Sequence, residues 1–139
     1  MIIDGSNAVA GRLAAYAAKR LLEGESVVIT NAEKIVISGS EEHVTSVYKN
    51  RRGMTQKANP EHGMKWPRRP DLLFKRIIEG MLPKHSNRKT MAMRALRVYL
   101  GTPADLKETS MKPVKTSEKL ARNFVSLEKL CANLGWVAK

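Results

Sequence analysis

The chain has 139 residues, enough for one domain that buries a hydrophobic core without a disulfide or a structural metal. It carries 25 Lys and Arg against 13 Asp and Glu, and the resulting net charge of +12 predicts a polyanionic partner, either nucleic acid or an acidic membrane surface. The single cysteine, Cys131, excludes an internal disulfide and is interpreted as a small buried hydrophobe in a reducing compartment.

The first half of the chain alternates between predicted strands and helices. Residues 2–4 predict a short strand, the alanine-rich residues 9–22 a helix that ends at Gly24, and residues 27–29 a strand buried on both faces. A strand, helix, strand order implies a right-handed parallel crossover. Residues 35–37 are either a continuation of the second strand past a bulge or a short edge strand, and the sequence leaves both open. The chain start lacks the features of a secretory signal, and no apolar run approaches the roughly 18 residues of a membrane span, so we expect a soluble, cytosolic protein.

The rest of the chain predicts more helices around one long loop. Helices are expected over residues 40–50, 70–82, 87–95 and 126–134, with Asn87 and Ser126 as caps and Gly135 after the last one. Residues 51–70 lack periodicity and are dense in Gly, Lys, Arg, Asn and Pro, and loops of this length are usually functional or disordered. Residues 96–100 alternate as a strand does, whereas residues 102–125 indicate an extended segment that packs on other surfaces.

The segment Pro67-Arg68-Arg69-Pro70 combines two arginines with two stiff flanking residues. Each proline fixes its own φ and favours extended geometry in the residue before it, so this arginine pair loses less entropy on binding than a flexible pair. The planar guanidinium matches phosphate oxygens two at a time. The helix that follows is expected to dock through an apolar stripe made of Phe74, Ile77, Ile78, Met81 and Leu82.

Catalytic and metal chemistry is poorly supported. His43, His62 and His85 are far apart, no Cys/His spacing fits zinc, and no Gly-x-Ser-x-Gly elbow is present. The turn from Gly5 to Arg12 resembles a phosphate-binding loop in its strand, turn, helix context, but its spacing meets neither dinucleotide nor P-loop motifs. We interpret Gly11 as a residue that lets the helix pack tightly on the sheet. We therefore expect that the protein is not an enzyme and that it uses no cofactor and no small-molecule substrate.

The positive charge is concentrated in the middle third of the chain. Residues 1–48 carry a net charge of −2, residues 49–97 carry +11 and residues 98–139 carry +3. Only Glu61, Asp71 and Glu79 oppose the cations of residues 49–97, so this surface repels itself unless a polyanion neutralises it. The candidate contacts are Lys49, Arg51, Arg52, Lys57, Lys65, Arg68, Arg69, Arg76, Lys84, Arg88, Lys89, Arg94 and Arg97.

The kind of polyanion follows from how these cations are arranged. They are spread over helices and a long loop without a helix-turn-helix, zinc-finger or zipper pattern, which favours an irregular folded RNA over duplex DNA. Trp66 stands among them and either stacks on an unpaired base or packs against the neighbouring prolines, and both interpretations stay open.

Several sequence blocks resemble one known family. They are Gly11-Arg12-Leu13-Ala14, residues 27–34 (Val-Val-Ile-Thr-Asn-Ala-Glu-Lys) with Ile37-Ser38-Gly39, Pro67–Asp71, Gly80–Lys84 and Leu96–Pro103. In this order, over residues 2–103, they resemble the L-thirteen family of large-subunit ribosomal proteins in its archaeal form. Ser86-Asn87-Arg88 departs from the Gly-Arg pair that the family commonly has. The resemblance is weaker beyond Pro103, so it implies no RNA contacts there.

The resemblance implies a fold, a role and a set of contacts. It implies a three-layer α/β/α fold with a small, mainly parallel sheet, for which our assignments give about four strands. It implies binding of large-subunit ribosomal RNA during assembly, beside other ribosomal proteins, with contacts at Arg12, Arg68, Arg69, Lys84 and the cations that follow. We expect one domain over residues 1–139, with a core over 1–103 and a C-terminal extension over 104–139.

These observations and the resemblance together favour a structural RNA-binding protein of the large ribosomal subunit. Two alternatives use features of the same sequence: a free regulator of messenger RNA with the same basic surface, and a small nucleotide-dependent enzyme that uses the turn from Gly5 to Arg12. A membrane partner is not expected.

Overall fold

The computed structural model describes residues 1–106 and 123–137. Its regular elements, in chain order, are β1 (Ile2–Asp4), α1 (Ala10–Leu22), β2 (Val27–Thr30), β3 (Val36–Ser38), α2 (Glu41–Gly53), α3 (Pro70–Glu79), α4 (Asn87–Ala95), β4 (Leu96–Val98), β5 (Phe124–Ser126) and α5 (Leu127–Asn133). Short 3-10 turns cover Ala32–Lys34, Pro60–His62 and Ala104–Leu106. The predicted elements are therefore present, and β5 is an element that sequence periodicity did not indicate.

A parallel sheet in the order β1-β2-β4 forms the centre of the fold. Ile3 is in register with Ile29, and Ile29 is in register with Val98 on the other side. The central strand is buried as its β-branched sequence predicts, and the Thr30 hydroxyl donates a 3.4 Å hydrogen bond to the Ile3 carbonyl inside the core. The helix α1 connects β1 to the adjacent parallel strand β2, as the strand, helix, strand order predicted.

The structure decides the open assignment of residues 35–37. The strand β3 does not continue β2, because it pairs antiparallel with β5 and Ile37 lies opposite Val125. One isolated bridge, between Val9 and Val36, ties this second sheet to the start of α1. Among the described residues, the strands thus divide into a three-stranded parallel sheet and a two-stranded antiparallel sheet, and the predicted α/β fold with a small, mainly parallel sheet is confirmed.

Three helix boundaries differ from the prediction. The helix α2 runs to Gly53, so Arg51 and Arg52 lie in its last turn and not in the loop. The helix α3 ends at Glu79, before Leu82. The cap of α4 is Ser86 and not Asn87, because the Ser86 side chain accepts the Arg88 amide N–H.

The C-terminal helix α5 is built as predicted. The Ser126 side chain accepts the Lys129 amide N–H at its start, and Gly135, at φ 89°, ends it. There the Gly135 amide bonds to the Ala132 carbonyl and the Trp136 amide to the Cys131 carbonyl, which is a Schellman arrangement. The sequence signals for helix ends were therefore reliable at α5.

The predicted close contact at Gly11 is not present, and the structure places such a contact at Gly5 instead. Gly11 is exposed, and a Cβ placed on it would meet no atom within 4 Å, so the prediction that it packs α1 on the sheet is wrong. Gly5 is the residue that needs to be small. A Cβ there would lie 2.8 Å from the Thr30 carbonyl oxygen and 2.9 Å from Cγ1 of Ile35. The close approach is therefore between the end of β1 and the segment that follows β2.

One hydrophobic core joins the sheet to the helices. Its fully buried side chains include Ile29, Leu73, Phe74, Ile78, Leu96, Leu127 and Leu130. The predicted stripe is correct at Phe74, Ile78 and Leu82, which are buried, and Ile77 is half-buried. Met81 is exposed, and Leu73, which the stripe did not include, is fully buried. Burial raises the pKa of Cys131 to about 12, and the charge of Asp71 adds to the effect, so this thiol is a core hydrophobe as predicted.

Candidate nucleic-acid interface

Most of the predicted RNA-contacting side chains are exposed. The exposed ones are Arg12, Lys49, Arg51, Lys57, Lys65, Arg68, Arg69, Lys84, Arg88, Arg94 and Arg97, and the half-buried ones are Arg52, Trp66, Arg76 and Lys89. Arg12 lies on α1, and the others lie on the end of α2, the loop over residues 54–69, α3, the segment after it, α4 and β4. Several of them have partners within the protein that fix their positions.

Trp66 brings two of these arginines together. The guanidinium carbon of Arg51 lies 5.2 Å from the centre of the Trp66 ring, and that of Arg76 lies 5.9 Å from it. Tyr48 meets the same ring edge-on, with centroids 5.9 Å apart, and Arg51 also lies 5.2 Å over Tyr48. Of the two interpretations left open for Trp66, the structure therefore favours packing, with two arginines and a tyrosine against its ring.

Glu79 joins α3 to α4 through two cations. Its carboxylate forms an ion pair with Arg76 on the same helix and a 2.9 Å ion pair with Lys89. The hydrogen bond from Lys89 is the largest effect on the pKa of Glu79, and with Arg76 it outweighs partial burial and holds that pKa below its ordinary value. Glu79 thus stays ionised and holds Arg76 and Lys89 at fixed positions.

The arginines beside the loop are held in different ways. Arg52 donates from Nη1 to the Leu134 carbonyl at the end of α5, at 3.0 Å. Arg69 binds Asp71 with two hydrogen bonds of 2.8 and 3.2 Å, and its backbone is extended at φ −74° and ψ 138°, as the prolines predict. Arg68 is exposed, and its Nη1 would lie 3.6 Å from a Cβ placed on Gly135. Of the arginine pair, only Arg68 has no ion pair to a described carboxylate.

Other predicted residues lie apart from this cluster. Lys49 lines a groove of about 700 Å³ that Glu41 and Glu42 also line, although it forms no ion pair with a described carboxylate. Among the described residues, no hydrogen bond, ion pair or ring contact joins Arg12 or Arg97 to the residues around Trp66. The structure therefore brings together the end of α2, Trp66, α3 and Lys89, and it leaves the outer cations separate.

The middle third has more cations than its own acids can neutralise. Two of its three carboxylates, Asp71 and Glu79, are already paired, with Arg69 and with Arg76 and Lys89. The cations of residues 49–97 with no described carboxylate within 4.0 Å are Lys49, Arg51, Arg52, Lys57, Lys65, Arg68, Lys75, Lys84, Arg88, Arg94 and Arg97. The sequence-based estimate of unbalanced charge therefore holds for most of the surface and fails at three cations.

Sequence reasoning missed two residues of this site. Tyr48 lies three residues before Arg51 on α2, and Glu79 lies three residues after Arg76 on α3, so the i, i+3 spacing was a usable signal for both pairs. The contact between Glu79 and Lys89 crosses from one helix to another and had no sequence signal. The same is true of the hydrogen bond from Arg52 to Leu134.

Other kinds of site are not seen in the described part of the chain. His43, His62 and His85 are all exposed, and no group of three His, Cys, Asp or Glu side chains among residues 1–106 and 123–137 is placed to hold a metal ion. No helix within those ranges has the length and apolar character needed to cross a membrane.

The fold and the exposed cations define a basic α/β protein of the nucleic-acid-binding class, with a surface suited to an irregular RNA. The chain belongs to the ribosomal protein L13 family, because the family model described as Ribosomal protein L13 matches residues 1–105. The resemblance noted in the sequence blocks is thereby confirmed.

Curated relatives extend the likeness over nearly the whole chain. The large ribosomal subunit protein uL13 of Methanopyrus kandleri is 37% identical over 140 residues, covering 97% of this chain and 86% of that protein. The uL13 protein of Methanocaldococcus jannaschii is 38% identical and covers 96% of each chain, and that of Pyrobaculum islandicum is 41% identical and covers 99% of this chain and 80% of its own. The similarity thus continues past Pro103, beyond the blocks from which it was first noticed.

Proposed function

We propose that this protein is a structural constituent of the large ribosomal subunit that binds large-subunit ribosomal RNA and supports assembly of the particle. Its relatives carry the name large ribosomal subunit protein uL13, and the family assignment agrees with the sequence-based interpretation. On this proposal its partners are ribosomal RNA and adjoining ribosomal proteins, and its location is the ribosome in the cytoplasm.

The observation that carries the proposal is the set of unpaired cations in residues 49–97. Two of the three acids in that region are occupied by three of its fourteen cations, so the remaining positive charge has no described partner. RNA phosphates supply the missing negative charge, and neutralising them releases counterions, which gives affinity without base contacts.

The proposed RNA contacts are the residues predicted from the sequence, but they are expected to contribute unequally to binding. Exposed cations without a described carboxylate partner are the primary contacts: Arg12, Arg51, Lys57, Lys65, Arg68, Lys84, Arg88, Arg94 and Arg97. Arg52, Arg69, Arg76 and Lys89 already share a hydrogen bond or an ion pair and act as oriented donors. Lys49 and Trp66 are the weakest members, since Glu41 and Glu42 line the same groove as Lys49 and Trp66 is engaged by other side chains.

The C-terminal segment belongs to the same domain in this proposal. The strand β5 completes the second sheet, and Leu127, Leu130 and Cys131 are buried in the common core, so residues 123–137 support the fold that carries the basic surface. On this proposal residues 123–137 share one hydrophobic core with residues 1–103.

A binding experiment at several salt concentrations tests the proposal. If roughly six to ten phosphates are contacted, affinity for deproteinised large-subunit ribosomal RNA falls by about 10³ to 10⁵ between 50 and 200 mM salt. The double variant Arg68→Ala/Arg69→Ala should bind more weakly with a flatter slope, whereas Arg20→Ala should have little effect because Arg20 lies outside the proposed contacts and is paired with Glu23 and Glu25. Equal binding of small-subunit RNA, transfer RNA and large-subunit RNA would refute a specific ribosomal role.

Sedimentation of a native extract separates the ribosomal role from the free regulator of messenger RNA. A structural constituent travels with the large subunit and resists washing at moderate salt, whereas a free regulator stays in the light fractions. The nucleotide-dependent enzyme is not supported, because the family is one of structural ribosomal proteins and the Gly5 turn is closed by the Thr30 carbonyl and Ile35.

A further inference from the structure

Two arginines from different helices meet over one tryptophan. Arg51 is in the last turn of α2 and Arg76 in the last turn of α3, and both guanidinium groups lie within 6 Å of the centre of the Trp66 ring. Two positive charges held beside the same ring repel each other. Their convergence therefore indicates that other groups hold them in place.

The tryptophan ring is fixed from several sides. It packs against the hydrophobic core, and the buried Tyr48 meets it at an interplanar angle of 85°. Because Arg51 lies over both aromatic rings, the position of its guanidinium is set by two contacts. An RNA base that stacked on Trp66 would have to compete with these neighbours.

A carboxylate fixes the second arginine. Glu79 pairs with Arg76 and with Lys89, so Arg76 is held between the indole and a carboxylate. We call Arg51, Trp66, Arg76, Glu79 and Lys89 the indole cluster. It contains three cations and one anion, and its net charge of +2 is unbalanced by any described carboxylate besides Glu79.

We infer that the indole cluster is a preformed phosphate-binding site and that Trp66 is its positioning residue, which holds Arg51 and Arg76 ready without stacking on a base. The inference rests on the proposed RNA-binding function. Guanidinium groups bind phosphate through two parallel N–H donors, and arginines that are already ordered lose less side-chain entropy on binding. Trp66 therefore acts on affinity through the arginines and not through its own contact with RNA.

The first experiment separates positioning from charge. Trp66→Leu keeps every charge but removes the aromatic face, so binding to deproteinised large-subunit ribosomal RNA should weaken about ten-fold, because two arginines must now be ordered on binding. The slope of log affinity against log salt should stay unchanged. Arg51→Gln removes a charge, so it should weaken binding and also reduce the slope by about one.

Two further variants control this comparison. Trp66→Phe keeps an aromatic face and should recover most of the affinity, which also keeps the test valid if Trp66→Leu folds poorly. Tyr16→Leu is a matched control, because it breaks the contact of Arg20 over Tyr16 on α1, where Arg20 is already paired with Glu23 and Glu25. This variant should bind RNA as the wild type does.

A fluorescence experiment tests base stacking directly. The chain has two tryptophans, so Trp136→Phe leaves Trp66 as the single reporter. Stacking of a base on Trp66 would strongly quench its emission when the RNA binds. If Trp66 serves only to position arginines, its emission should change little at saturation.

The outcomes distinguish this inference from the proposed function. Wild-type affinity in Trp66→Leu, equal loss in Trp66→Phe and Trp66→Leu, or strong quenching of Trp66 would overturn the positioning role while RNA binding itself stands. Failure of the wild-type protein to prefer large-subunit RNA would instead overturn the proposed function.

Discussion

Gly5 and Gly11 offer the same chemical change with opposite expected results. In Gly5→Ala, the new methyl group would lie 2.8 Å from the Thr30 carbonyl oxygen and 2.9 Å from Cγ1 of Ile35. Real side chains do not tolerate such distances to backbone atoms, so the end of β1 must move away from β2. That movement also strains the 2.9 Å hydrogen bond from the Gly5 amide to the Thr30 carbonyl.

The magnitude follows from these two effects. Overpacking of a filled site costs about 1–3 kcal/mol, and a weakened backbone hydrogen bond costs about 1 kcal/mol. Gly5→Ala should therefore lower the free energy of unfolding by about 2–4 kcal/mol, with a fall in Tm on the order of 10 °C. Gly11→Ala places its methyl in open space on a helix, so it should be neutral or stabilise the protein by up to about 1 kcal/mol.

Urea unfolding followed by circular dichroism measures both variants on one scale, with thermal unfolding as a second measure. Equal m-values would show that both variants unfold from comparable states. A free energy of unfolding for Gly5→Ala within about 0.5 kcal/mol of the wild-type value, or a larger loss in Gly11→Ala than in Gly5→Ala, would refute this reasoning. The second result would restore the original interpretation of Gly11 as the close contact between α1 and the sheet.

Three further results are expected. The pKa of Glu79 in the folded state lies below its ordinary value of 4.5, so its ion pairs stabilise the fold above pH 4.5, and that stability is lost as the pH falls through the lowered pKa. Glu79→Gln should therefore lose less stability in acid than the wild type does. An unchanged dependence of the free energy of unfolding on pH would contradict this. The Cys131 thiol should resist iodoacetamide at pH 8 until urea unfolds the chain, and alkylation of the native protein at the rate of a free thiol would contradict its burial. Ser126→Ala should cost about 1 kcal/mol in urea unfolding through loss of the cap of α5, with Ser126→Asp as a control that keeps an acceptor; equal loss in both would contradict the capping role.

Local signals in the sequence were sufficient for most of the elements. Short-range chemistry sets the boundaries of several elements, because each signal acts over a few residues. These signals are the glycines after α1 and α5, the serine before α5 and the β-branched run of β2. Periodicity also identified the buried face of α3 at Phe74 and Ile78.

Contacts distant in sequence were beyond those signals. The three-residue strand β5 has no periodicity of its own, and it becomes a strand because β3 offers a partner 88 residues earlier, at the pair Ile37 and Val125. The wrong prediction for Gly11 also comes from contacts distant in sequence. A glycine in a strand, turn, helix segment does not show which other part of the backbone approaches it. Only the packed structure shows that the approach is at Gly5.

Charge counting predicted a polyanionic partner, but it could not show which cations are available. The two acids in α3 hold Arg69, Arg76 and Lys89, and the carbonyl at the end of α5 holds Arg52, so the fold uses its few negative groups to orient cations. The remaining cations are left exposed without a described carboxylate partner. A surface meant only for solubility would distribute acids among such cations, because unrelieved repulsion lowers the stability of the free protein. A few oriented cations surrounded by many unpaired ones therefore suit a partner that brings a dense, fixed array of negative charge, and folded RNA has that property.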